Sequence, residues 1–262
     1  VSNQGGALAA ELTTDCECSD EGLDNGVTVT KPHSSDCKYS LFSKDHSMCL
    51  TESACSNIRV QGLTEAEKTK VLDLHNQYRA KVALGEETRG NPGPQPSASN
   101  MRQLSWNDEL ALVAQAWANT CPTDHDCSAC RRIFQHDYQV GQNLFWHWGW
   151  EADEKWDEAM SGFYDEVADV PESLVKAYGT VIIYNQIGHY TQIVWGDTNA
   201  VGCGSVSYGP CKREGQYYEH CKVYSCNYGQ AGNWLGLPIY NEGPPASDCP
   251  RGTSEEYSGL CL

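Results

Sequence analysis

From Thr64 onward the apolar residues fall into periodic runs, whereas residues 1–62 show little periodicity. Thr64-Glu-Ala-Glu67 has the form of a capping box, in which a Thr hydroxyl and a Glu carboxylate each satisfy a backbone N–H that a helix start leaves open. Behind it Val71, His75, Tyr78 and Val82 recur at i, i+4, i+7 and i+11, which is one helix face. Gly90-Asn-Pro-Gly-Pro-Gln-Pro96 ends that run as a loop. A second helix is expected over 107–119, with Leu110, Val113, Ala114 and Trp117 inward. A third fits roughly 153–168, striped by Trp156, Met160, Phe163 and Val167.

Period-two segments take over elsewhere. Val140 to Trp150 alternates as a strand and places Trp146, Trp148 and Trp150 on one face. His189 to Trp195, Ala200 to Tyr208 and His220 to Tyr228 are further strand candidates, the last two as an antiparallel hairpin. Cys203 with Cys226 and Cys211 with Cys221 both suit that hairpin, if a bulge absorbs a small offset in register. Helices precede strands without βαβ alternation, so the pattern predicts an α+β fold with an antiparallel sheet packed against helices.

Composition adds the compartment and removes some partners. The 14 Cys, with no HExxH pattern and no paired CxxC spacing, are best read as disulfides formed in an oxidising compartment. Cys127 and Cys130 form a lone CxxC, too little for a zinc or redox motif without a second pair. A net charge of −17, from 18 Lys plus Arg against 35 Asp plus Glu, repels phosphate backbones and anionic membrane surfaces. No apolar run approaches the roughly 20 residues that span a bilayer. The chain starts at Val1 without an apolar signal stretch, as expected of a mature secreted protein, and it has no Asn-x-Ser/Thr sequon. Three segments follow: a cysteine-rich N-terminal extension (1–62), a central domain (63–235) and a short C-terminal extension (236–262) closed by Cys249 and Cys261.

Several motifs in order carry a resemblance. They are His75-Asn-Gln-Tyr-Arg79, the Glu87–Pro96 loop, Trp106-Asn-Asp-Glu-Leu110, Trp117-Ala-Asn-Thr-Cys121, Val140-Gly-Gln-Asn143, Gly188-His-Tyr-Thr-Gln-Ile-Val-Trp195 and Cys226-Asn-Tyr-Gly-Gln-Ala-Gly-Asn-Trp234. From about Gly62 to Trp234 the chain resembles the CAP superfamily of cysteine-rich secretory, antigen-five and pathogenesis-related proteins, most of all the antigen-five branch of arthropod venoms and saliva. The resemblance implies an α-β-α sandwich around a mostly antiparallel three-stranded sheet, with disulfide-rich extensions. It implies the disulfides Cys16–Cys37, Cys18–Cys130, Cys55–Cys121 and Cys203–Cys226, which leaves Cys49–Cys127, Cys211–Cys221 and Cys249–Cys261.

It also implies a cleft with two His and two acids, carried here by His125, His189 and Glu166, with Gln142 where much of the family has Glu. Two imidazoles and a carboxylate suit Zn²⁺ or another divalent cation, while Gln142 brings no charge, so the site would be weaker than a fully acidic one. The other reading is a hydrogen-bonded polar cleft with no obligatory cofactor. His75, on an apolar helix face, reads first as a satisfied core histidine. The Trp146/Trp148/Trp150 stripe and the apolar Ile182 and Ile183 are candidate walls for a sterol or fatty acid, and equally candidates for plain packing. Arg251-Gly-Thr253 lacks the Asp of integrin-binding tripeptides. The expected function is binding of a small apolar ligand or an extracellular host protein. A Zn-dependent hydrolase using the His/Glu cleft is the first alternative and an ion-channel modulator the second. The latter is associated with a C-terminal cysteine-rich module, whereas only Cys249 and Cys261 follow the central domain here.

Overall fold

A computed structural model describes residues 37–51 and 55–262. The first helix, α1 (Glu65–Ala83), begins at the expected capping box: Glu67 N–H donates to Thr64 Oγ1 at 3.2 Å and Thr64 N–H to Glu67 Oε2 at 2.6 Å. Its Val71, His75 and Val82 are buried. The second helix, α2 (Asp108–Ala118), is capped by Asn107 Oδ1, which accepts from Leu110 N–H at 2.9 Å. It buries Leu110, Val113 and Ala114, while Trp117 is only partly covered. The third, α3 (Trp156–Asp165), is shorter than the periodicity predicts, because the chain tightens into a 3₁₀ turn over Glu166–Asp169. Trp156, Met160, Phe163 and Val167 are all buried.

The sheet contains β1 (Ile58–Gln61), β3 (Val140–Gly149), β4 (Ala200–Tyr208) and β7 (His220–Gly229) in the order β1-β4-β7-β3, every neighbour antiparallel. A two-residue strand, β2 (Ser105–Trp106), lies parallel to β4. The three long strands β4, β7 and β3 make the centre that the resemblance implies, and two short strands enlarge it. A separate hairpin, β5 (Cys211–Arg213) and β6 (Gln216–Tyr218), fills the connection between β4 and β7.

Period-two alternation sends side chains to two helical layers. Val201, Cys203, Tyr224 and Tyr228 join Trp156, Phe163 and Val71 in the main core beneath α1 and α3. Val206 and Val223 pack instead with Ala118 of α2. α2 sits so close to β4 that a Cβ on Gly204 would lie 2.3 Å from Gln115 Cα, which requires glycine there. The C-terminal segment adds Ile239, Tyr240 and Leu260 to the main core. Among the described residues, no helix is long and apolar enough to cross a membrane.

Two expectations are corrected. His189 to Trp195 is not a strand, since Gly188–Ile193 forms a six-residue helix, α4. Its β-branched and aromatic residues favour a strand locally, yet the Glu166 carboxylate accepts the His189 and Tyr190 N–H groups at 2.9 and 3.1 Å and so closes a helical start. The disulfides Cys55–Cys121, Cys203–Cys226, Cys211–Cys221 and Cys249–Cys261 are as expected. The pairs Cys16–Cys37, Cys18–Cys130 and Cys49–Cys127 are not formed: Cys37 joins Cys49, and Cys127 joins Cys130. In both cases short 3₁₀ turns bring near neighbours together, with Cα atoms 5.5 and 4.9 Å apart, so local closure wins over a long-range bridge. Cys16 and Cys18 themselves lie outside the described residues.

Candidate functional site

The motifs that identify the chain mostly build a frame. Arg79 is fully buried and donates to the backbone carbonyls of Arg102, Ile193, Trp195, Gly196 and Thr198, at 2.7 to 3.3 Å, which fixes the turn after α4. Asn76 pairs with both backbone groups of Leu104. His75 is bonded through Nδ1 to Val71 O at 2.7 Å and through Nε2 to the Tyr228 hydroxyl at 2.9 Å, and burial lowers its pKa to about 4. It is the satisfied core histidine that its position on an apolar helix face foretells.

α4 interlocks with the segment after β7. Thr191 Oγ1 donates to Asn233 Oδ1 at 2.7 Å, Gly232 N–H donates to Gln192 Oε1 at 2.9 Å, and Asn233 Nδ2 donates to Gly188 O at 2.9 Å. Between these segments and the start of β3 lies an open cleft of about 500 Å³, whose walls include His125, Arg131, Gln142, Gln192 and Trp234.

The four predicted site residues arrive as two pairs. His125 Nδ1 lies 2.8 Å from Gln142 Oε1. The direction of that bond follows from a chain anchored on a group that can only accept. Asn227 Nδ2 donates to Leu110 O (3.5 Å), so Asn227 Oδ1 accepts from Gln142 Nε2 (3.1 Å) and Gln142 Oε1 accepts from His125 Nδ1–H. His189 Nδ1 lies 2.6 Å from Glu166 Oε1, a carboxylate that in its ionised form only accepts. In the neutral form of each ring the lone pair is therefore on Nε2, each ring oriented by an outer partner as metal-binding imidazoles usually are. The Phe163 ring, 4.7 Å away between centroids, also braces His189.

Burial lowers the His125 pKa; the Gln142 bond works against this, while the positive charge of Arg131 adds to it. Glu166 is only 11 % exposed and its oxygens already accept two backbone N–H groups and the His189 ring. Among the described residues, no three His, Cys, Asp or Glu side chains converge as a metal-binding group. His125 and Gln142 line the open cleft, whereas His189 and Glu166 are not among its lining residues; by donor chemistry alone, two imidazole nitrogens with a carboxylate and an amide as outer partners are adequate for a divalent cation.

The residues considered for an apolar ligand separate. Trp146 and Trp148 share the even-numbered face of β3 and line a second, smaller cleft with Tyr208. Trp150 is 69 % exposed, its ring 6.4 Å from that of Tyr218. Ile182 is 81 % exposed, whereas Ile183 packs against the main core. Sequence reasoning missed Asn227, which directs the Gln142 amide, and Gln192, which lines the cleft. Both stand inside quoted motifs, and only their partners across the fold reveal the roles.

Comparison with known proteins agrees with this architecture. Residues 72–228 match the model of CAP, the cysteine-rich secretory protein family. The chain is similar to a venom allergen 3 homolog of Dinoponera quadriceps, at 44% identity over 205 residues covering 76% of this chain and 84% of that protein. It is similar to venom allergen 5 2 of Polybia paulista, at 42% identity over 215 residues covering 79% and 92%. Among solved structures it resembles NaASP2 crystallised with Zn²⁺, with a TM-score of 0.62 and 30% identity over 77% of this chain and 97% of that one. With the sandwich, the interlocked α4 segment and the family match all in agreement, this chain belongs to the CAP family of cysteine-rich secretory proteins.

Proposed function

We propose that this chain is a secreted CAP protein of the venom or saliva type that acts by binding a small apolar ligand or an extracellular host protein. The central cleft serves it as a weak divalent-cation site. The observation that carries this reading is the bonding of the two histidines and their partners. His125 and His189 each keep one lone-pair nitrogen, while Glu166 is spent on the start of α4 and Gln142 on an amide chain. That arrangement favours holding a cation over activating water, because a general base must be free to take a proton. The similarity to venom allergens supports the setting, and the similarity to NaASP2, crystallised with Zn²⁺, supports the cation. A zinc-dependent hydrolase would need Glu166 or a further group as base, and the bonds of Glu166 argue against it.

The test of the ligand half is direct. Purified protein is incubated with lipid extract, re-isolated and analysed by mass spectrometry beside an unrelated disulfide-rich control. Enrichment of a sterol or fatty acid is expected, and repeated recovery of nothing above the control would overturn it.

A further inference from the structure

A second cleft, of about 190 Å³, opens on the α2 face of the sheet, between the loop after α2 and the β5–β6 hairpin. Trp146, Trp148 and Tyr208 form its apolar wall. The Trp146 indole N–H is already spent on Pro122 O at 2.7 Å, so that ring offers the cleft only hydrocarbon. Both sides are pinned covalently, one by Cys55–Cys121 and the other by Cys211–Cys221, so little ordering remains to oppose a ligand. The volume somewhat exceeds the roughly 150 Å³ that admits a benzene ring, which suits an occupant of one or two rings.

The charge of this cleft runs against that of the chain. Acids outnumber bases 35 to 18 overall, yet Lys212 and Arg213 line it and none of its nine lining residues is acidic. The Arg213 guanidinium stands 5.0 Å from the Trp148 ring centroid, held at the lip by cation–π attraction. Glu214, which is not among the lining residues, lies 3.5 Å from Arg213 Nε and is largely exposed. Lys212 Nζ lies 5.5 Å from the Tyr217 ring centroid. Aromatic walls with cations at the rim are complementary to a flat apolar body carrying an anionic group.

We propose that the cleft formed by Trp146, Trp148, Lys212 and Arg213 binds a small aromatic organic anion, such as an aryl carboxylate or aryl sulfate. The inference rests on reading the tryptophan face of β3 as a ligand wall and adds the charge and size of what it takes.

Calorimetric titration of the intact protein with naphthalene-2-sulfonate and with the uncharged 2-naphthalenemethanol tests it, with the indole N–H resonances of Trp146 and Trp148 reporting the location. The sulfonate should bind at least about tenfold more tightly than the alcohol, as one charge-assisted contact allows. Arg213→Gln should cut that preference severalfold, and Arg213→Lys should keep most of it. Equal binding of both probes would overturn the anion assignment while leaving the apolar wall intact. Binding of neither, or shifts confined to other tryptophans, would overturn the cleft as a ligand site altogether.

Discussion

Gln142 is the residue on which the proposed cation site most depends. Its amide oxygen accepts a hydrogen bond from the His125 ring N–H, and its NH₂ is committed to Asn227. A carboxylate in its place would raise the basicity of His125 and bring a negative charge toward both imidazoles. Gln142→Glu should therefore tighten zinc binding by about tenfold, within the range that outer-shell partners command. Calorimetry at pH 7.5 checks this, and unchanged affinity would remove the two imidazoles from the account. The sequence made Gln142 visible as a departure from a family pattern. It could not show that Asn227 holds the amide in one orientation, because that partner is 85 residues away.

At the scale of elements, α4 has a helical start that its own sequence does not supply. Six residues with a Thr and an Ile are too few to nucleate a helix alone, and an outside carboxylate completes the start. Removing it in Glu166→Ala leaves the His189 and Tyr190 N–H groups and the His189 ring without their acceptor. The expected loss is about 2 kcal/mol, the sum of a lost cap and a lost charged hydrogen bond, read as a lower urea midpoint at unchanged slope. Faster hydrogen exchange at 189 and 190 should accompany it. If the midpoint stays put, the carboxylate does not hold the helix. The capping box of α1 shows the opposite case: Thr64 and Glu67 are three residues apart, and the motif could be read directly.

The whole molecule carries a pH signature from its buried imidazoles. His75 has a folded pKa of about 4 against an ordinary value of 6.5, set by burial. The unfolded chain thus binds the proton more readily, and stability must fall as pH drops below about 6.5. Between pH 7 and 5 this one group should cost about 2 kcal/mol. Burial lowers the pKa of His46 and His125 as well, which adds in the same direction. Urea unfolding at the two pH values, compared between the parent and His75→Gln, separates the contribution. The variant should start less stable at pH 7 and lose about 2 kcal/mol less on acidification. An equal loss in both would place the proton elsewhere.

What the chain determined by itself is whatever depends on neighbours close in sequence or on strict periodicity. The three helix faces, the alternation of β3, the β4–β7 pairing with Cys203 opposite Cys226, and the family-bearing motifs are of that kind. The tertiary structure alone decided the helical form of Gly188–Ile193, the bonding of Cys37 to Cys49 and of Cys127 to Cys130, and the sorting of the predicted residues into two His pairs. It also set Lys212 and Arg213 beside the tryptophan face of β3. The physical reason is common to them all. Each outcome turns on which of several chemically adequate partners lies within bonding distance, and that is fixed only when the sheet and its helical layers have packed.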